Sequence, residues 1–323
     1  MLYVLSFVYI IISENLIFVF LALELSIITS YLLIWYFGYG DRRRVGLLYF
    51  IWAQIGSILF LIGVAMSGTY LAAVFKAAGT ASLMVLVGLL VKMGTAGVHF
   101  WLPYAHAEAP TPPSALLSPV HAGLMAYWLW RLRDGAGWPL ETLYLYGLTA
   151  AVYGTSLVFR ESVNMALADS TIANMGLLVA AAAVQKPELS YLATAVLFVG
   201  HAFAKAAGFM LAGIYIVRLH TDLDQLKWDT WVLALGVLSF VTLSDVFGIN
   251  LLGRAMVAVG VSQALAAILL IATLSSTALY SFYLLHKIYK GGQAEVPTDG
   301  GMYLSALAAA AAPFIILMAV FAI

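Results

Sequence analysis

Apolar stretches of about twenty residues recur along this chain, separated by short polar turns, and no other feature constrains its fold as much. A hydrocarbon core about 30 Å thick takes roughly 20 helical residues to cross. Inside it every backbone N–H and C=O must find a partner within the protein, so such stretches cross as helices. That ruler predicts ten crossings, at about 14–38, 45–67, 79–102, 114–132, 140–159, 163–184, 189–219, 229–250, 257–288 and 300–322. Residues 2–12 are apolar but too few to span, and read as a partial or interfacial helix. The expected fold class is an all-α polytopic membrane protein. It forms a single transmembrane domain over 1–323, with a first half at about 14–132, a second half at about 140–290 and a C-terminal helix at 300–322.

Composition narrows the chemistry. With 64% hydrophobic and 9% charged residues, the chain falls far from a soluble domain, which carries about 25% charged residues. It contains no cysteine, which excludes thiolate-held iron–sulfur clusters and zinc, disulfides and a cysteine nucleophile. No cofactor and no active site of its own are expected. Basic and acidic residues balance at 15 each, so nothing recommends nucleic acid as a partner, and the bilayer is the environment. The opening MLYVLSFVYIIISENL lacks a basic leader and a small-residue cleavage site, and is expected to be retained in the mature protein. Arg42, Arg43, Arg44, Arg160, Arg218, Lys227, Lys287 and Lys290 fall on one side of the membrane, and Lys76, Arg131, Arg133, Lys186 and Arg254 on the other. The excess of basic residues places the Asp41–Arg44 loop in the cytoplasm and the C-terminus outside.

Three charges do not fit a passive bundle. Glu24, Lys92 and Lys205 each lie near the middle of a crossing, where an ionisable group costs roughly 2.5–3.5 kcal/mol on insertion scales and faces a partner, a wet cavity or an ion path. His201 lies four residues before Lys205 and shares its helix face, and Lys92 and His99, seven apart, nearly share one. His121 stands near the centre of the next crossing. A buried lysine facing a carboxylate can be loaded and unloaded, and histidine titrates near neutral pH without help. Glu24, Lys92, His121, His201 and Lys205 thus read as a row of protonatable groups at one depth. Plainer roles stand beside this one: Glu24 and Lys92 as a fixed ion pair, His99 as a cap at a helix break, and His106, beside Glu108, as a loop-fixing residue. Trp35, Trp101, Trp130 and Trp138 read as interfacial anchors.

Two crossings carry signs of interruption. One runs from Lys92 through Gly94 and Gly97 into HFWLP, where Pro103 disfavours helix before it. The other holds Ser244, Asp245, Gly248, Asn250 and Gly253 within ten residues. Broken helices in membranes line buried or wet paths, and one in each half fits two inverted repeats.

The segment VKMGTAGVHFWLPYAHAEAPTPPSALLSPVHAG, Val91 to Gly123, resembles the signature of the antiporter-like subunits of respiratory complex I, membrane-bound hydrogenases and multisubunit sodium/proton antiporters. ESVNMALADSTIANMGLL at Glu161–Leu178 and HAFAKAAGFMLAGIYIVRLHTDLDQL at His201–Leu226 follow in the family's order. The resemblance implies that Glu24 and Lys92 are the family's glutamate–lysine pair, and that His201 and Lys205 are its central histidine and lysine. Where many members have a lysine or histidine in the eighth family helix, this chain has Gly123 or Ser118, and His121 is expected to take that role. At the twelfth family helix Ser244, Asp245 and Leu252 replace the usual pattern, which makes Asp245 the candidate outlet, with Arg254 as the other.

The implied function is a proton-translocating subunit of a redox-driven membrane complex, resembling an NADH/quinone oxidoreductase or a membrane-bound hydrogenase, in a prokaryotic-type or equivalent energy-coupling membrane. Its implied partners are other membrane subunits. The helices that the family carries before its glutamate helix are either supplied by a separate small subunit or absent from a shortened form. Two alternatives keep the same motifs: a non-pumping scaffold subunit, and a sodium/proton antiporter or ion-coupled carbon-uptake subunit.

Overall fold

The computed structural model describes residues 1–159, 163–219, 246–260, 264–289 and 300–322. These residues form helices joined by short turns, with an isolated bridge between Asn15 and Leu71 as the only β pairing among them. In order, the helices are α1 (Leu2–Ile12), α2 (Leu16–Phe37), α3 (Arg42–Ser67), α4 (Gly79–Met93), α5 (Leu102–Glu108), α6 (Thr111–Leu116), α7 (Leu124–Ala136), α8 (Leu140–Leu157), α9 (Val163–Ala182), α10 (Pro187–Leu219), α11 (Ile249–Val259), α12 (Ala264–Tyr289) and α13 (Gly300–Ala322). A π-helical segment, Leu117–Ala122, joins α6 to α7.

Polarity is arranged inside out. The outer faces of α2 and α3 expose Phe18, Leu21, Ile28, Leu32, Ile51, Ile55, Ile58 and Ile62, whereas Lys92, His106, His121, His201, Lys205 and Asp169 are buried. Four helices among the described residues, within Leu16–Phe37, Arg42–Ser67, Met165–Ala182 and Pro187–Gly213, are long and apolar enough to cross a bilayer, and several shorter ones are also apolar. Charged groups inside and apolar groups outside is the pattern of an integral membrane protein, because lipid solvates the outer side chains and protein must satisfy the inner ones.

Small residues set how closely the helices approach. A Cβ on Gly88 would stand 2.7 Å from the Gly56 carbonyl and from the Phe60 nitrogen, and one on Gly63 would stand 2.7 Å from the Ala81 carbonyl. α3 and α4 therefore touch backbone to backbone, as membrane helices do where small residues line the seam. Gly147, Gly154 and Gly176 do the same for α8 and α9. α10 is the hub of the second half and packs on α6, α9, α11 and α13.

Several expectations change at this level. The crossing expected at 79–102 is not one helix. α4 stops after Met93 because Gly94 takes a left-handed conformation (φ 64) and donates back to the Val91 carbonyl, a glycine-terminated helix end. The crossing expected at 114–132 is three pieces: α6, the π-helical segment and α7. The stretch expected to continue over 257–288 begins a new helix at Ala264, and Val257–Val259 belong to α11. The interruption expected between Ser244 and Gly253 falls at Gly248, with φ 63.

Trp101 and Trp138 are buried in protein rather than at its rim. Their indoles donate to the Val91 and Ser82 carbonyls at 3.2 and 3.1 Å. Arg133 is not a loop charge either: its guanidinium donates to the Ala182 and Val184 carbonyls and to the Ser190 hydroxyl at 2.7–2.8 Å. It closes the C-terminal end of α9, where unpaired carbonyls favour a cation.

Candidate functional site: a buried row of titratable side chains

Lys92 occupies the last turn of α4 and is 1% exposed. Two features of the backbone hold it there. The helix ends directly after it, so the negative end of the helix dipole lies beside a positive charge. α3 offers Gly56 opposite, where a Cβ would stand 2.8 Å from the lysine Cγ. Its Nζ has no hydrogen-bond partner among the described residues. Glu24 of α2 lies within electrostatic reach, yet no ion pair within 4.0 Å joins the two among the described residues. The Glu24 carboxylate instead accepts a hydrogen bond from Gln54 Nε2 of α3 at 2.6 Å. The pair expected from sequence is a separated one, with a glutamine engaging the acid.

His121 sits in the π-helical segment, and such bulges recur at functional sites. The wide turn points its ring between α1, α2 and α3. Nδ1 lies 3.3 Å from the Ser26 hydroxyl, and the rings of Tyr3, Phe7 and Tyr49 surround it at centroid distances of 6.2–6.4 Å. Tyr49 in turn pairs its hydroxyl with Ser30 at 2.7 Å. His121 lies within electrostatic reach of both Lys92 and His106.

His106 is the residue that sequence reasoning misplaced. It is not in a loop: it lies in the last turn of α5, 2% exposed, with its ring stacked on Phe209 of α10 at 5.2 Å. Neither ring nitrogen has a hydrogen-bond partner among the described residues. It lies within electrostatic reach of both His201 and Lys205, which share one face of the continuous helix α10 and are 1% and 2% exposed. Lys205 Nζ donates to the Ser170 hydroxyl of α9. Its neighbours on that helix, Asp169, Thr171 and Asn174, are also buried, and Thr171 pairs with Ser118 of the π-helical segment at 2.7 Å.

From Glu24 the order of residues is therefore Lys92, His121, His106, then His201 and Lys205. Tyr49, Trp101 and Phe209 belong to one apolar cluster, and Met93 and Ala122 to the other; the row runs where the two meet. His99 does not share a helix face with Lys92, because the helix ends between them. It lies 3.4 Å from the Tyr153 hydroxyl through Nε2. Asp245 falls outside the described residues, while Arg254 is buried in α11. The sequence does not single out Gln54 or Asp169, and it gives His106 only a loop-fixing role. Asp169 carries the same signal as Glu24, being the only formal charge within α9.

Residues 13–229 match the family described as NADH:quinone oxidoreductase/Mrp antiporter, TM. A probable K(+)/H(+) antiporter protein of Rhizobium meliloti is 33% identical over 225 residues, spanning 64% of this chain and 22% of that protein. The NAD(P)H-quinone oxidoreductase chain 4 3 of Trichormus variabilis is 28% identical over 229 residues, spanning 65% of this chain and 42% of that protein. The chain thus spans less than half the length of these curated relatives. Among solved structures, a chain of the archaeal membrane-bound sulfane sulfur reductase superposes with a TM-score of 0.81 at 21% identity, over 98% of this chain and 71% of that one. A chain of the Mrp complex from Dietzia sp. DQ12-45-1b does so with a TM-score of 0.81 at 17% identity, over 98% and 73%. At such identities these likenesses speak for the fold.

Proposed function

The chain belongs to the NADH:quinone oxidoreductase/Mrp antiporter transmembrane family, and on that premise we propose that it is a proton-translocating, antiporter-like subunit of a redox-driven membrane complex. The observation that carries the reading is the row itself: Lys92, His106, His121, His201 and Lys205 are each no more than 2% exposed, and each member stands within electrostatic reach of the next. Ionisable groups are costly to bury in a membrane, and where they occur there they mark ion paths and proton relays.

In the proposed mechanism the Glu24 carboxylate favours a proton on Lys92, and so does the carbonyl-rich end of α4. A change at the Glu24 end, passed from a neighbouring subunit, weakens that pairing and releases the proton. Like charges repel, so a proton on Lys92 discourages one on His121, and departure of the first invites the next. His121 hands on to His106, and His106 to His201 and Lys205, with water bridging the gaps that no side chain closes. Ser170 receives the Lys205 ammonium, and Asp245 and Arg254 are the candidate outlet groups. The protein itself needs no cofactor for this.

The proposed topology is ten crossings in two halves, over about 14–132 and 140–290, followed by the C-terminal helix at 300–322, in a prokaryotic-type energy-coupling membrane. Breaks at Gly94 and Gly248, one in each half, support two inverted repeats. The proposed partners are other membrane subunits of one complex, since both structural neighbours belong to membrane complexes. A second reading, exchange of potassium or sodium for protons, draws on the K(+)/H(+) antiporter relative; a requirement of turnover for either ion would favour it.

The test is Lys92→Ala in the purified complex reconstituted in vesicles. Assembly is expected to persist and most proton uptake to vanish; normal pumping by this variant would refute the reading.

A further inference from the structure

A path leads from the surface to His106, the row member carried by the short helix α5. The Gly38–Asp41 turn between α2 and α3 is tied to the end of α5, because the Tyr39 N–H donates to the Glu108 carbonyl at 2.7 Å. The Glu108 carboxylate lies over Gly40, where a Cβ would stand 2.4 Å from it. Outward, Glu108 shares an open cleft of about 710 Å³ with Asp41, Arg44 and Tyr104. Burial, and then the Asp41 charge, raise the Glu108 carboxyl above its ordinary value.

Inward, the Tyr39 hydroxyl lies 3.2 Å from Thr111 Oγ1 and accepts from the Thr111 N–H at 3.4 Å. Behind these two hydroxyls is a cleft of about 10 Å³, lined by Tyr39, Thr111, Ser114, Phe209, Gly213 and His106. That volume is about what one water requires, and a water needs polar partners on several sides, which this cleft supplies. Phe209 covers one face of the His106 ring, and the ring nitrogens lack a partner among the described residues. A buried polar group in that condition is normally met by protein or by ordered water. Thr111 keeps its place because residue 213 has no side chain: a Cβ there would stand 2.1 Å from it.

We propose that protons enter the row at His106 from the face that carries Asp41–Arg44, collected by Glu108 and passed by the Tyr39 and Thr111 hydroxyls to a single water on the imidazole. Each hydroxyl accepts one proton and gives up another, so neither is changed by the passage. This rests on the proton-relay reading above. It adds to the Glu24 end, where coupling arrives, a separate point where the transported proton does.

The experiment has two arms on the whole complex. In the first, radiolytic hydroxyl-radical footprinting reports residues that touch bound water. His106 is expected to be oxidised despite its burial, Trp128, buried in the apolar core, is expected to stay unlabelled, and Thr111→Val is expected to lose most of the His106 label. His106 as silent as Trp128 overturns the proposal, whatever the transport data say. In the second arm, Tyr39→Phe and Thr111→Val, which remove only hydroxyls or exchange one for a methyl, are each expected to lose most proton uptake from the Asp41–Arg44 side, with melting temperature unchanged. Full uptake in both, with Lys92→Ala defective, overturns this inlet and leaves the row standing. Normal pumping by Lys92→Ala takes down the row and the inlet with it.

Discussion

At the scale of single residues, Lys92 is held by charge and by its helix end rather than by a contact, since no hydrogen-bond partner reaches its Nζ among the described residues. That leaves its proton sensitive to whatever engages Glu24, and Gln54 is the group that does so at 2.6 Å. Gln54→Leu is expected to leave the Glu24 carboxylate to Lys92 alone, to strengthen the lysine's hold on its proton, and to slow initial uptake about tenfold, the equivalent of losing roughly 1.4 kcal/mol of hydrogen bonding to a charged group. Stopped-flow uptake into vesicles checks it, and an unchanged rate would remove Gln54 from the mechanism. Glu24, Lys92, His201 and Lys205 were legible in the sequence because a charge or imidazole inside an apolar run is conspicuous. Gln54 was not, because an amide carries no charge. His106 was not, because the prolines that follow it at 110, 112 and 113 look like loop, and only the folded chain shows α5 turned inward onto Phe209.

At the scale of elements, helix ends decide where the chemistry sits. A helix continuing past Gly94 would have placed His99 nearly in line with Lys92, as the spacing suggested. The left-handed glycine instead ends α4 beside the lysine and sends His99 toward Tyr153. Periodicity reads faces well but presumes an unbroken helix, which is why the 79–102 and 114–132 crossings were seen as apolar stretches and not as the pieces they are. The seam between α3 and α4 has its own test. Gly88→Val puts side-chain atoms into the Gly56 and Phe60 backbone, and is expected to destabilise the bundle by about 1–3 kcal/mol through overpacking, read as a lowered melting temperature in detergent. Arg133→Ala is expected to cost a similar amount, about 1–3 kcal/mol, by leaving the Val184 carbonyl without its side-chain donor and taking one of two from the Ala182 carbonyl, with proton uptake per assembled complex unchanged.

At the scale of the whole molecule, an apolar exterior encloses a polar line that runs from α2 through α4, the π-helical segment and α5 to α10. The composition alone announced the exterior, and isolated charges announced both ends of the line. The middle depended on how α5 and α6 fold back between the two apolar clusters, which local pattern does not encode. Whether this line conducts protons is read from the protons moved per electron transferred in the reconstituted complex carrying Lys205→Met. Methionine keeps the length and packing of the lysine stem and removes the charge; assembly and electron transfer are expected to stay intact while the ratio falls clearly. A variant complex that moves as many protons per electron as the native one would contradict conduction along this line.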